Sequence, residues 1–217
     1  MMSGSSPQRW HRRKDDRPAE IIDAALKLFT RKGYAATRLD EVAARAGISK
    51  GTLYLYFESK DALFKAVVQA TVVPEIERAE HYIRGYRGSA GELVRKLVFQ
   101  WWETLNDSGL RGMPKLIMAE SGNFPELARF YVEHVTNRVR KLLASVIRLG
   151  VEQGEFRPCD PYIAARLLMA PIVFISIWSD SLLPYEEPDF DVRAFLDQHV
   201  EIFLHGLLSG TDATHEP

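Results

Sequence analysis

Residues Thr37–Lys60 read TRLDEVAARAGISKGTLYLYFESK, and their spacing is that of a helix-turn-helix. Gly47 is the turn residue, because a chain leaving a helix commonly needs a positive φ that glycine reaches without strain at Cβ. Ala43, four residues earlier, is small enough for a second helix to approach. Val42, Ala46, Ile48 and Leu53 supply the apolar wedge between the two helices. Thr37 and Asp40 have the form of a capping box, Ser49 is placed to cap a helix over Lys50–Phe57, and Ser59 to cap the helix after it.

The second of these helices has an unusual surface. Leu53 and Phe57 lie four residues apart and pack inward, which turns Ser49, Lys50, Thr52, Tyr54 and Tyr56 outward. Hydroxyl and ammonium donors with aromatic and methyl surface suit phosphates and base edges of a major groove, and Gly51 lets the backbone come close.

From about Arg17 to Val68 the chain resembles the N-terminal domain of the TetR family of transcriptional regulators. The resemblance is carried by Ile22-x-x-Ala25-x-x-Leu28-Phe29, Gly33-Tyr34, Thr37, Val42-Ala43-x-x-Ala46-Gly47-Ile48-Ser49, Gly51-Thr52-Leu53-Tyr54-x-Tyr56-Phe57 and Ser59-Lys60-x-x-Leu63. It implies that Thr37 and Arg38, then Lys50, Thr52, Tyr54 and Tyr56, and finally Lys60 at the start of the fourth helix, grip phosphates and read bases. Many relatives carry His where this chain has Tyr56; a phenol also donates a hydrogen bond, so a phosphate contact survives the change.

Outward from this segment, the first helix is expected from Pro18 to Lys32, with Ile21, Ile22, Ala25, Leu26, Leu28 and Phe29 on one face and Gly33 past its end. One long helix from Lys60 to about Arg84 should link the head to the rest. Beyond Glu92 the chain reads as helices over about 92–106, 113–121, 125–153, 161–181 and 190–208, separated by turn formers. The expected architecture is all-α: a basic arm over 1–16, a DNA-binding head over 17–63, a regulatory and dimerisation body over 64–210, and a tail over 211–217.

Charge is distributed unevenly. Residues 1–60 hold 12 Lys and Arg against 7 Asp and Glu, and the remainder 16 against 22, so a basic head sits on an acidic body. The basic cluster Arg9, His11, Arg12, Arg13, Lys14 and Arg17 could follow a groove or remain a solvated tail. A single Cys159 excludes an internal disulfide. The polar start lacks a signal-peptide core, no run approaches the ~20 apolar residues of a membrane span, and Met169–Trp178 reads as a buried helix bent near Pro171. The expectation is a cytoplasmic protein.

No catalytic or metal-binding constellation is present in the sequence. The six histidines are dispersed at 11, 81, 134, 199, 205 and 215, and no phosphate-binding glycine loop occurs. An enzyme and a cofactor are therefore not expected. The body instead carries Trp101, Trp102, Leu105, Met113, Leu116, Ile117, Phe124, Phe130, Tyr131, Met169, Phe174 and Trp178, which either line a ligand pocket or fill a dry core. The resemblance favours a pocket for a small apolar or amphipathic effector. Glu120, on an otherwise apolar helix, must be exposed, paired with an Arg such as Arg129, or aimed at a ligand.

Phe195, Leu196, Val200, Phe203, Leu204 and Leu207 form an apolar stripe on the last helix, the expected homodimer interface in a four-helix bundle. Together these features point to a homodimeric, ligand-responsive repressor on a palindromic double-stranded operator. A ligand-independent architectural or cell-division factor at dispersed chromosomal sites is the alternative. A carrier or enzyme with a vestigial head fits less well, because Lys50, Thr52, Tyr54, Tyr56 and Lys60 are all present.

Overall fold

The computed structural model describes residues 17–186 and 190–208. The arm, Trp10 and the 211–217 tail lie outside the described residues. Eleven α-helices follow one another: α1 Arg17–Lys32, α2 Leu39–Arg45, α3 Lys50–Tyr56, α4 Lys60–Thr71, α5 Val73–Arg84, α6 Ala90–Asp107, α7 Met113–Glu120, α8 Pro125–Tyr131, α9 Asn137–Glu152, α10 Pro161–Ser179 and α11 Val192–Leu207. Among the described residues there is no strand, only one antiparallel bridge between Phe156 and Leu208.

The head forms as its local signals dictate. Ile21, Ala25, Leu28 and Phe29 of α1 are buried against Val42, Leu53, Leu63 and Phe64. Gly33 and Gly47 have φ of 90° and 67°, a region that glycine enters freely. The Ser49 side chain accepts from Thr52 N–H at 3.1 Å and Ser59 from Ala62 N–H at 3.0 Å, so α3 and α4 are capped as expected. α2 is not: Arg38 stands at its N-cap with no side-chain bond to the helix. Thr37 is buried, and its hydroxyl donates instead to the Gly33 carbonyl at 2.7 Å.

The helix expected over 60–84 is two helices. Pro74, in the first turn of α5, has no N–H and crowds the carbonyl four residues back, so α4 ends at Thr71 and α5 starts afresh. The segment expected as one helix over 125–153 is helical throughout, but Val132–Thr136 forms a π-helical turn between α8 and α9. Such turns insert an extra residue per turn and often occur at functional sites.

Two apolar cores result. One joins the head to α7 and α8 through Met113, Leu116 and Leu127; the other lies among α6, α9, α10 and α11. Trp101 and Val139 pack against both. α10 runs unbroken through Pro171 and, by length and composition, is the one described helix able to cross a membrane, contrary to the sequence reading. Its burial of Ala165, Leu168, Ile172 and Ile175 inside the bundle explains its apolarity without a membrane.

Candidate nucleic-acid interface and body cavity

On α3, Leu53 is fully buried while Ser49, Lys50, Gly51 and Tyr54 are exposed and Thr52 and Tyr56 half-buried. Arg38 is exposed beside them. Arg38 and Lys50 make a basic corner at the N-termini of α2 and α3, with Tyr54 and Tyr56 in the last turn of α3. Asp40 ties it together, taking the Lys50 ammonium at 2.7 Å and the Arg38 guanidinium at 3.5 Å. The hydrogen bond from Lys50 is the main cause holding the Asp40 carboxyl below its ordinary value, and Asp40 in turn raises Lys50. A phosphate approaching this surface competes with Asp40 for both cations.

Thr37 and Lys60, expected in this set, are placed elsewhere. The Lys60 ammonium donates to the carbonyls of Tyr34, Ala35 and Thr37 at 2.8, 3.2 and 3.1 Å and lies 4.4 Å from the centre of the Tyr34 ring. An ammonium has three donors, and all three are in use. Burial pulls Lys60 below the ordinary lysine range, against the opposing charge of Glu120. Its role here is to clamp the turn between α1 and α2. Conversely, sequence reasoning passed over Leu55, which is 84% exposed on α3. No buried position remained for it once Leu53 and Phe57 were assigned inward, and that was the available signal.

In the body, a cavity of about 680 Å³ opens between α7, the π turn, α9 and α10. That lies within the ~300–1,000 Å³ range of small-molecule sites. Of the expected residues it is lined by Trp101, Leu105, Ile117, Tyr131, Met169 and Phe174. Pro114, Met118, Val132, Val135, Thr136, Val139, Arg140, Arg166, Ile172 and Val173 also line it, and sequence reasoning named none of these. Burial pushes the Tyr131 phenol well above its ordinary value.

The other expected pocket residues have different neighbours. Met113 and Leu116 are buried in the core shared with the head, and Phe124 packs edge-on against Tyr34 at 4.8 Å. Trp102 packs in the second core, while the Trp178 indole donates to Glu186 at 2.8 Å. Glu120 is not paired with Arg129, which binds Glu126. Its carboxylate accepts from the Ala35 N–H at 2.9 Å, and a Cβ on Gly33 would lie only 3.0 Å from it.

The stripe on α11 is also used differently. Leu196, Val200, Leu204 and Leu207 are buried within the subunit, leaving only Phe195 and Phe203 of that set partly accessible. The apolar side chains left uncovered on the last two helices include Ile163, Leu167 and Ile202, at 57%, 62% and 64% exposure.

Comparisons with known proteins agree on one assignment. Residues 21–67 match the family model for bacterial regulatory proteins of the tetR family, and residues 92–206 match that for the C-terminal domain of AefR-like transcriptional repressors. The uncharacterised HTH-type transcriptional regulator YfiR of Bacillus subtilis is 25% identical over 162 residues, 72% of this chain and 76% of that protein. The transcriptional regulator FadR of Bacillus subtilis, solved in complex with stearoyl-CoA, superposes with a TM-score of 0.73 at 22% identity, over 87% of this chain and 98% of that one. A transcriptional regulator from Saccharomonospora viridis in complex with choline gives 0.73 at 22% identity, over 90% and 100%.

Proposed function

Because the chain belongs to the TetR family and is thereby a DNA-binding transcriptional regulator, not an enzyme, we propose that it is a cytoplasmic, homodimeric, ligand-responsive repressor of a palindromic operator. The observation that carries the ligand response is the double role of α7. One side of it, Pro114, Ile117 and Met118, lines the cavity, while Met113, Leu116 and Glu120 hold the head. An effector that fits the cavity better when α7 is displaced weakens that hold and shifts the population toward heads spaced wrongly for the operator.

DNA contact is assigned to Arg38, Ser49, Lys50, Gly51, Thr52, Tyr54 and Tyr56, with Thr37 and Lys60 shaping the turn beneath them. The dimer contact is assigned to the outer faces of α10 and α11, centred on Leu167 and Ile202, because exposed apolar stripes on two adjacent helices make a self-complementary four-helix seam. The two solved neighbours hold ligands of different chemistry, stearoyl-CoA and choline, so likeness of fold alone leaves the effector class open.

Selection of bound sequences from random DNA, followed by footprinting, tests the reading. One palindrome with half-sites about one helical turn apart, or a multiple of it, supports it. Many unrelated chromosomal sites, unaffected by any small molecule, support the architectural alternative.

A further inference from the structure

We propose that the cavity selects an amphiphilic anion, its apolar part filling the space beneath α7 and its negative head held by Arg140 and Arg166; the inference rests on the effector reading above and names the effector's chemical class.

The cavity wall is apolar except for a few hydroxyl groups and these two arginines, and it contains no Asp or Glu. Arg140 is half-buried on α9, just past the π turn, and Arg166 is exposed on α10; both line the cavity. Neither forms an ion pair among the described residues. One Arg140 nitrogen donates to Asn137 Oδ1 at 2.6 Å, and the Arg166 guanidinium has no hydrogen bond there. Several other guanidinium groups of the body are charge-compensated: Arg138 binds Glu80 at 2.9 Å, Arg111 binds Asp180 at 2.9 Å, and Arg95 spans Asp197 and Glu201. What sets Arg140 and Arg166 apart from other unpaired arginines such as Arg148 is their place in an apolar cavity wall.

Two uncompensated cations beside apolar surface discriminate among ligands. A neutral amphiphile would strip water from the half-buried Arg140 guanidinium and return nothing. A cationic one would add repulsion at low dielectric. An anionic head supplies the missing charge and accepts several of the free N–H donors in the fork geometry suited to carboxylate or phosphate.

Calorimetric titration of the full-length dimer with dodecanoate, dodecyl phosphate and dodecyltrimethylammonium, each below its micelle threshold, tests this. Both anions should bind about tenfold or more tighter than the ammonium, a difference of about 1.4 kcal/mol. Tighter binding of the phosphate indicates a doubly charged head and tighter binding of the carboxylate a singly charged one; either supports the inference. In the double variant Arg140→Gln, Arg166→Gln the preference should fall to about twofold or less, while Arg148→Gln, a surface control outside the cavity, retains it. Equal or reversed preference, no binding of any probe, or an unchanged preference in the double variant overturns the inference. Operator release is measured separately. Selective anion binding without release overturns the effector reading and leaves the site assignment standing, whereas release by the cation alone does the reverse.

Discussion

The Oε1 atom of Glu120 accepts a 2.9 Å hydrogen bond from the backbone N–H of Ala35, joining the last residue of a cavity-lining helix to the turn that leads into the DNA-binding motif. The same turn is also clamped by Lys60, whose ammonium is attracted to the Glu120 carboxylate. Removing the carboxylate should therefore loosen head and body together. Glu120→Ala is expected to cost about 1–3 kcal/mol in urea unfolding and to reduce the factor by which a cavity ligand weakens operator binding. An unchanged factor would place the coupling on the α4–α8 contact instead.

Lys60→Met is expected to lower stability by a similar margin, since three carbonyls lose a charge-assisted donor. Its effect on the salt dependence of DNA binding should be small. Lys50→Ala should behave in the opposite way, leaving stability nearly unchanged and reducing the slope of log K against log salt by about 0.9. Affinity titrations at several salt concentrations, paired with thermal melts, separate the two roles. A slope reduced by about 0.9 in Lys60→Met as well would return that residue to the phosphate-contacting set.

How far the sequence carried the fold is visible in these residues. Gly47, Ser49 and Ser59 act within four residues or so of themselves, and all take the roles their spacing predicts. Lys60 and Glu120 act on carbonyl and N–H groups 25 and 85 residues away, as Ala35 shows, and spacing carries no information about such partners. The α11 stripe was legible as apolar, but periodicity cannot say whether a neighbouring helix of the same subunit or a second subunit covers it. Pro74 was a readable break that the long amphipathic pattern masked. In the cavity, Trp101 and Ile117 are legible as bulky apolar residues, whereas nothing in local spacing distinguishes Arg140 from a surface cation.

Leu167→Glu and Ile202→Glu are expected to yield folded monomers by sedimentation, because both side chains are exposed in the isolated subunit and a carboxylate there strains only an interface between copies. Val200→Glu should instead prevent folding, as Val200 is fully buried. Dimers persisting in both exposed-site variants would move the interface elsewhere.

Glu155 closes the N-terminus of α6, accepting from Ser89 Oγ and from the N–H groups of Ala90 and Gly91 at 2.7–2.9 Å. Burial alone would raise its carboxyl, but these bonds more than offset that and leave it below the ordinary value. A folded-state pKa that is depressed stabilises the protein above the unfolded value of about 4.3 and is lost as pH falls through the folded one. Wild type is expected to exceed Glu155→Gln in stability by about 1–2 kcal/mol near neutrality, with the gap narrowing in acid. A constant gap across the acid range would show that the charge of Glu155 contributes nothing.

The most direct measurement titrates fluorescently labelled operator with protein at increasing dodecanoate, and then titrates dodecanoate into protein with and without operator. Linkage requires one factor to appear in both experiments. The expected result is about a tenfold weakening of operator binding by the ligand and an equal weakening of ligand binding by the operator. Ligand that occupies the cavity while both affinities stay unchanged would contradict the proposal that this cavity controls the head.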